Sequence, residues 1–234
     1  MRDDVRGKGN TGRRNFLRTV VSGAVMGAAA GAGIGLANPE RLSAQTNLSP
    51  DAAFEELMAG NRRFAANQLT SFEHDLTVLK EHTAGKQEPF AGVLSCADSR
   101  VPVELIFDQT IGHIFVTRVA GNISTSDIIA SLEYGVAVLG TRALLVLGHS
   151  NCGAVKAAMK AESVPGQIST LYPHLRQAVE QSGGSFEKAI EVNAKIQADL
   201  LRTSSTVIRE AVQAGKLKVQ AGVYDLASGK VTLS

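Results

Sequence analysis

Two cysteines and a histidine hold the residue types and the positions for metal chemistry. Cys96 follows the apolar run "FAGVLS" (90–95), and His149 and Cys152 follow "RALLVLG" (142–148) in an H-x-x-C spacing. Two thiolates and an imidazole are donors that zinc favours. Three protein ligands leave a fourth position for water, which is the catalytic arrangement. The chain has 2 cysteines in all, so no third one closes the site. Zinc held in this way lowers the pKa of its water to about 7, although two thiolates soften the effect and give the surrounding hydrogen bonds more weight. The competing reading of two cysteines in an exported chain is a Cys96–Cys152 disulfide in a non-catalytic protein.

Asp98 and Arg100 stand beside the first cysteine. In an extended segment, positions 96, 98 and 100 face one side. Asp98 is then placed to accept a hydrogen bond from the attacking hydroxide or to reach the metal itself. Arg100 can keep the carboxylate ionised by a two-pronged pair. Ser99 and Ser150 are candidates for hydrogen bonds around the thiolates. His74 and His82 lie in polar sequence and are expected in solvent. His113 and His174 lack a neighbour of ligand type and are expected to bind nothing.

The elements that must position these residues are readable from periodicity. Ser49-Pro50 opens a helix with a capping serine, proline in the first turn and an apolar stripe at Ala53, Phe54, Leu57 and Phe64. A second short helix is expected within 72–88. Strands are expected at 89–95, 113–119 and 142–148, then from Lys216 and again at the C-terminus around a Ser-Gly turn. Helices are expected over 103–107, 124–140, from Ala154, over 171–181 and over 186–214 with a break near Thr203. Short apolar strands alternating with helices predict an α/β fold. The sheet should have about four parallel strands, an antiparallel edge strand and helices on both faces. Ligands in such sheets bind beyond the carboxyl ends of the strands, and both cysteine motifs sit there.

The first 44 residues differ in kind. "GRRNFLR" (12–18) precedes an uncharged Ala/Gly/Val-rich stretch (19–37), the pattern of a twin-arginine export signal, with a membrane anchor as the alternative. Cleavage is expected between Ala37 and Gln45, and the translocase is the expected partner during export to the periplasm or beyond. Of 24 basic and 22 acidic residues, seven and three lie in 1–44, so the remainder carries a net charge of −2. The basic balance therefore belongs to the leader and makes no case for nucleic acid binding. Residues 45–234 form the expected catalytic domain.

"CADSRVP" (96–102) together with "GHSNCGAV" (148–155) resembles the β-class carbonic anhydrases. "GNRRF", "FVTRVAGN", "SLEYGVAVLGTRALLVLGHS" and "VQAGVYDLASGKV" extend the resemblance over residues 50–234. It implies zinc on Cys96, His149 and Cys152, with Asp98 as a fourth ligand only in a closed state. It also implies an Asp98–Arg100 dyad, and a homodimer or homotetramer with the active site at the subunit interface. The expected reaction interconverts carbon dioxide and bicarbonate; carbonyl sulfide or carbon disulfide hydrolysis is the alternative on the same fold. Gln109 and Gly153 are candidates for substrate binding. Two departures stand out. Val93 replaces the tryptophan of the inhibitory bicarbonate pocket found in some bacterial members, although Arg118 matches a basic residue of that pocket. "FDQTIGHIF" replaces a proline-containing loop of the plant-type members.

Overall fold

A computed structural model describes residues 46–71, 80–81 and 83–234. The leader, His74, His82 and most of the expected helix within 72–88 lie outside the described residues. Helix α1 spans Pro50–Ala65, with the Ser49 side chain accepting from Ala52 N as the expected cap. The chain then runs through β1 Ala91–Ser95, α2 Val103–Ile106, β2 Ile114–Arg118, α3 Ser126–Ala137 and β3 Ala143–His149. It continues as α4 Gly153–Lys160, a 3-10 turn at Ile168–Leu171, α5 Tyr172–Gln181, α6 Phe186–Ser204, α7 Thr206–Gln213, β4 Lys218–Tyr224 and β5 Val231–Leu233. The break after α6 falls at Ser205, whose extended backbone ends one helix while its side chain caps the next. Among the described residues no helix is long and apolar enough to cross a membrane.

The sheet order is β2-β1-β3-β4-β5. The first four strands are parallel and β5 runs antiparallel to β4, as the alternation predicts. β1 and β3 are buried along their whole length, which suits central strands of a parallel sheet covered on both faces. One face packs on α1 and α2 through Phe54, Leu57, Val103, Ile106 and Phe107. The other packs on α6 and α7 through Ala198, Leu201 and Ile208. The chain leaves β1 toward β2 on one side and returns to β3 on the other, so the gap between β1 and β3 is the topological switch point. Ser95 is level with Leu147, and β3 runs two residues further to His149. That register puts Cys96 and His149 side by side at one sheet edge.

Helix α1 is pinned to the loop after α2 by close backbone approach and by a buried carboxylate. A Cβ on Gly60 would lie 1.8 Å from the Phe107 carbonyl oxygen, so only glycine lets the two pieces meet. Asp108 is 3% exposed. It accepts from Arg63 Nε at 2.5 Å, Thr70 N at 3.0 Å and Ser71 N at 2.9 Å. Burial alone would raise its pKa, but Arg63 and the hydrogen bonds from Ser71 and Thr70 outweigh it and hold the carboxyl well below the usual carboxylate range. Since the folded pKa is depressed, the contribution to stability is complete above the unfolded value of about 3.9 and is lost as pH falls through the folded value. Asp108→Ala should cost about 3 kcal/mol at pH 7, because it strands Arg63 and two backbone N–H groups. Urea unfolding of both proteins from pH 7 down to pH 3 should show that gap narrowing only in acid; a gap independent of pH would remove the ionised carboxylate from the account.

Candidate metal centre

Cys96, His149 and Cys152 are buried, and their ligand atoms all lie within 4.8 Å of one another. Cys96 is the first residue beyond β1 and His149 is the last of β3. Cys152 is the N-cap of α4, the helix that leaves the sheet immediately after β3. Both cysteines are free thiols, so the structure contains no Cys96–Cys152 disulfide.

The donors are set up for a cation. His149 Nδ1 lies 2.9 Å from the Ser150 carbonyl oxygen. A carbonyl can only accept, so Nδ1 carries the proton and Nε2 presents its lone pair. That Nε2 is buried with no hydrogen-bond partner. An orphaned lone pair among two thiols is costly in a packed interior and suits a metal ligand. Cys96 is drawn toward thiolate, foremost by a hydrogen bond from Cys152 and against burial, with Gly121 N–H also helping. Cys152 is pushed up for the complementary reason: it donates to Cys96 and faces its charge in a buried place. A dication would satisfy both sulfurs and the imidazole at once.

Asp98 and Arg100 pair as expected, but not by the expected backbone. The segment is a turn rather than an extended run. Val101 N bonds to the Asp98 carbonyl at 3.1 Å, and Arg100 N bonds to Asp98 Oδ1 at 3.0 Å. The turn folds Arg100 back onto the carboxylate, with Nε to Oδ1 at 2.9 Å and Nη2 to Oδ2 at 2.7 Å. This pairing holds Asp98 well below the usual carboxylate range. Its Oδ2 faces His149 Nε2 across 3.9 Å, at the rim of the cluster.

Other expectations change. Ser150 and Ser99 do not serve the thiolates: Ser150 Oγ accepts from Leu226 N, and Ser99 is exposed. The hydrogen bond to Cys96 Sγ comes from Gly121 N, at 3.3 Å. Arg118 is exposed and donates to the carbonyl oxygens of Cys96 and Asp98, so it braces the segment that carries these site residues. Val93, in place of the tryptophan, is fully buried in the core. Gln109 is not brought to the cluster within this chain; its amide donates to Glu56 and to the Phe107 carbonyl. Gly153 opens α4 beside Cys152 with nothing within 4 Å of its would-be Cβ. His113 pairs with Thr110 and His174 is exposed, both apart from the cluster as expected. The Gly121 contact had one sequence signal, a glycine just beyond the strand neighbouring β1, but nothing there shows which way its N–H points.

Residues 91–231 match the family model for carbonic anhydrase. Carbonic anhydrase 2 of Mycobacterium tuberculosis is 32% identical over 80% of this chain and 94% of its own length. Among solved structures, the β-carbonic anhydrase CafA of Aspergillus fumigatus superposes with a TM-score of 0.63 at 29% identity, over 77% of this chain and 90% of that one. The chain belongs to the β class of the carbonic anhydrases. The fold is shared with one of two enzymes from Sordaria macrospora described as tetrameric β-carbonic anhydrases, at 24% identity and TM-score 0.64 over 77% of this chain and 95% of that one. The family consists of metalloenzymes, and the buried Cys-His-Cys cluster is where this member can hold its metal.

Proposed function

We propose that the chain binds zinc through Cys96, His149 and Cys152 and catalyses the reversible hydration of carbon dioxide to bicarbonate and a proton. The observation that carries this reading is the orphaned His149 Nε2, buried against two thiols with the Asp98 carboxylate fixed 3.9 Å away. Bound there, zinc supplies a Lewis acid that makes a hydroxide-strength nucleophile available near neutral pH. The chain does the rest. Asp98 stays ionised throughout the physiological range and accepts the hydrogen of the attacking water, fixing the direction of its lone pair toward carbon. Arg100 holds that carboxylate by two hydrogen bonds and would compete with a bound cation for it. Backbone N–H groups of Val155 and Ala154, at the start of α4, favour a thiolate at Cys152. Apolar Ile123, Val155, Leu175 and Ile190 keep water from the back of the cluster. Ala97, Ser99 and Arg100 are exposed, so bicarbonate and the proton leave on the Asp98 side. Gly153, open above its Cα, leaves room there for the linear substrate.

The test is metal analysis with stopped-flow assay of purified protein on carbon dioxide, carbonyl sulfide and carbon disulfide. One zinc per chain is expected, with carbon dioxide as the preferred substrate, and 2 titratable thiols after unfolding and chelation. Cys152→Ala should lose zinc and activity together; a full zinc complement in that variant would overturn the ligand assignment.

Arg100→Ala should keep its zinc yet lose roughly 100-fold or more in turnover, the scale of a removed electrostatic or orienting group. Freed from the Arg100 guanidinium, Asp98 would turn toward the cation and stop serving the water. X-ray absorption at the zinc edge should then show an added protein oxygen; an unchanged spectrum with near-normal turnover would reduce Arg100 to a surface ion pair.

We also propose that the working form is a homodimer or homotetramer. Edge strand β2 leaves Ile114, Phe115 and Val116 only partly covered, and Ile111, Tyr134 and Val138 are exposed. An apolar, unpaired sheet edge of this kind invites a second chain. Sedimentation at micromolar concentration should give at least a dimer, and a monomer there would refute the proposal.

A further inference from the structure

The polar network behind the metal centre reaches a helix that carries no ligand. In α6, Asn193 and Gln197 sit one turn apart and are 1% and 0% exposed. Asn193 Nδ2 donates to the Gly121 carbonyl oxygen at 2.9 Å. Gln197 Oε1 accepts from Ser124 N at 2.8 Å, and Gln197 Nε2 donates to Asn193 Oδ1 at 3.1 Å and to the His174 carbonyl at 3.2 Å. The orientation of both amides follows from their partners. A backbone N–H can only donate, so the oxygen of Gln197 must face Ser124. Its nitrogen therefore faces Asn193, which turns the Asn193 oxygen toward it and the Asn193 nitrogen toward Gly121.

Gly121 is the joint between this network and the metal centre. Its N–H donates to Cys96 Sγ at 3.3 Å while its own carbonyl is held by Asn193. Its φ of +77° favours glycine, and an added Cβ would press on Leu175 Cδ2 at 3.3 Å and on Ala154 Cβ at 3.4 Å. The loop cannot shift outward without breaking the α6 bonds or inward without meeting α4 and α5.

We infer that Asn193 is a positioning residue of the metal centre: by fixing Gly121 it keeps that N–H on Cys96 Sγ and so sets how tightly the metal is held. The inference rests on the assignment of Cys96, His149 and Cys152 as the ligands. Hydrogen-bonded groups behind a ligand govern its basicity and direction, and removing one lowers metal affinity about 10–100-fold.

The test is zinc release from the full-length, zinc-loaded protein into a chromogenic chelator, with unfolding midpoints measured alongside. Asn193→Ala should release zinc about 10-fold faster or more. Asn193→Asp is the near-isosteric second variant. It keeps an acceptor for Gln197 but replaces the donor to Gly121, so it should release zinc comparably fast even if Asn193→Ala fails to fold. In cobalt-substituted protein, both variants should shift the thiolate-to-metal charge-transfer band. Ser205→Ala, which removes the α7 cap and a hydrogen bond to Glu133 and touches no residue of the Gly121 network, controls for stability loss alone and should match wild-type release within about twofold while costing on the order of 1 kcal/mol. Wild-type release rates and an unmoved cobalt band in the Asn193 variants would overturn the inference and leave the ligand assignment standing. Equally fast release from Ser205→Ala would overturn it too, by reducing the effect to general instability. A wild-type protein that binds no zinc, or a Cys152→Ala variant that binds it fully, would overturn the ligand assignment and the inference with it.

Discussion

The structure is organised around one buried lone pair. His149 Nε2 has no hydrogen-bond partner, because Nδ1 is committed to the Ser150 carbonyl and the ring is wholly enclosed. A bare nitrogen between two thiols is unfavourable in an apolar interior unless a cation joins it. The parallel sheet makes the arrangement possible. β3 runs two residues past the level at which β1 ends, and the crossover between them leaves an opening in which side chains from just beyond β1, the end of β3 and the start of α4 converge. Burying those strands on both faces supplies the hydrophobic stabilisation against which this unfavourable centre is held.

The polar surroundings combine one side-chain ion pair with backbone groups held by side chains more remote in sequence. Arg118 ties down the carbonyls of Cys96 and Asp98, Arg100 folds over Asp98, and Asn193 fixes Gly121. The first two restrain the loop after β1 and the third restrains the loop after β2. The site is therefore rigid where the ligands are, and its exposed residues lie on the Asp98 side. That division would suit the proposed hydration of carbon dioxide, whose substrate is small and uncharged and whose products are ions.

The exposed edge at β2 and the placement of Gln109 belong together. Gln109 follows α2 and is tied to Glu56, and Ile111 projects two residues later. This side of the molecule has apolar surface without a polar purpose of its own. In the proposed oligomer a second copy would cover this edge.

The sequence alone determined the element order, the parallel sheet and the three residues of the Cys-His-Cys cluster. Strand and helix periods are local properties, and "CADSR" and "GHSNC" fall at strand ends wherever the chain folds as α/β. Pairing Asp98 with Arg100 was also legible, because the two are close in sequence, although the turn that joins them was not. What only the tertiary structure decided are the contacts between remote segments. The donor to Cys96 Sγ comes from Gly121 rather than a serine, Arg118 turns to two carbonyls, and Asn193 and Gln197 reach across some seventy residues to the loop at 121–124. These depend on the direction of individual N–H and C=O groups after packing. Backbone groups are chemically the same at every residue, so no residue type in the sequence marks which of them will face a metal ligand.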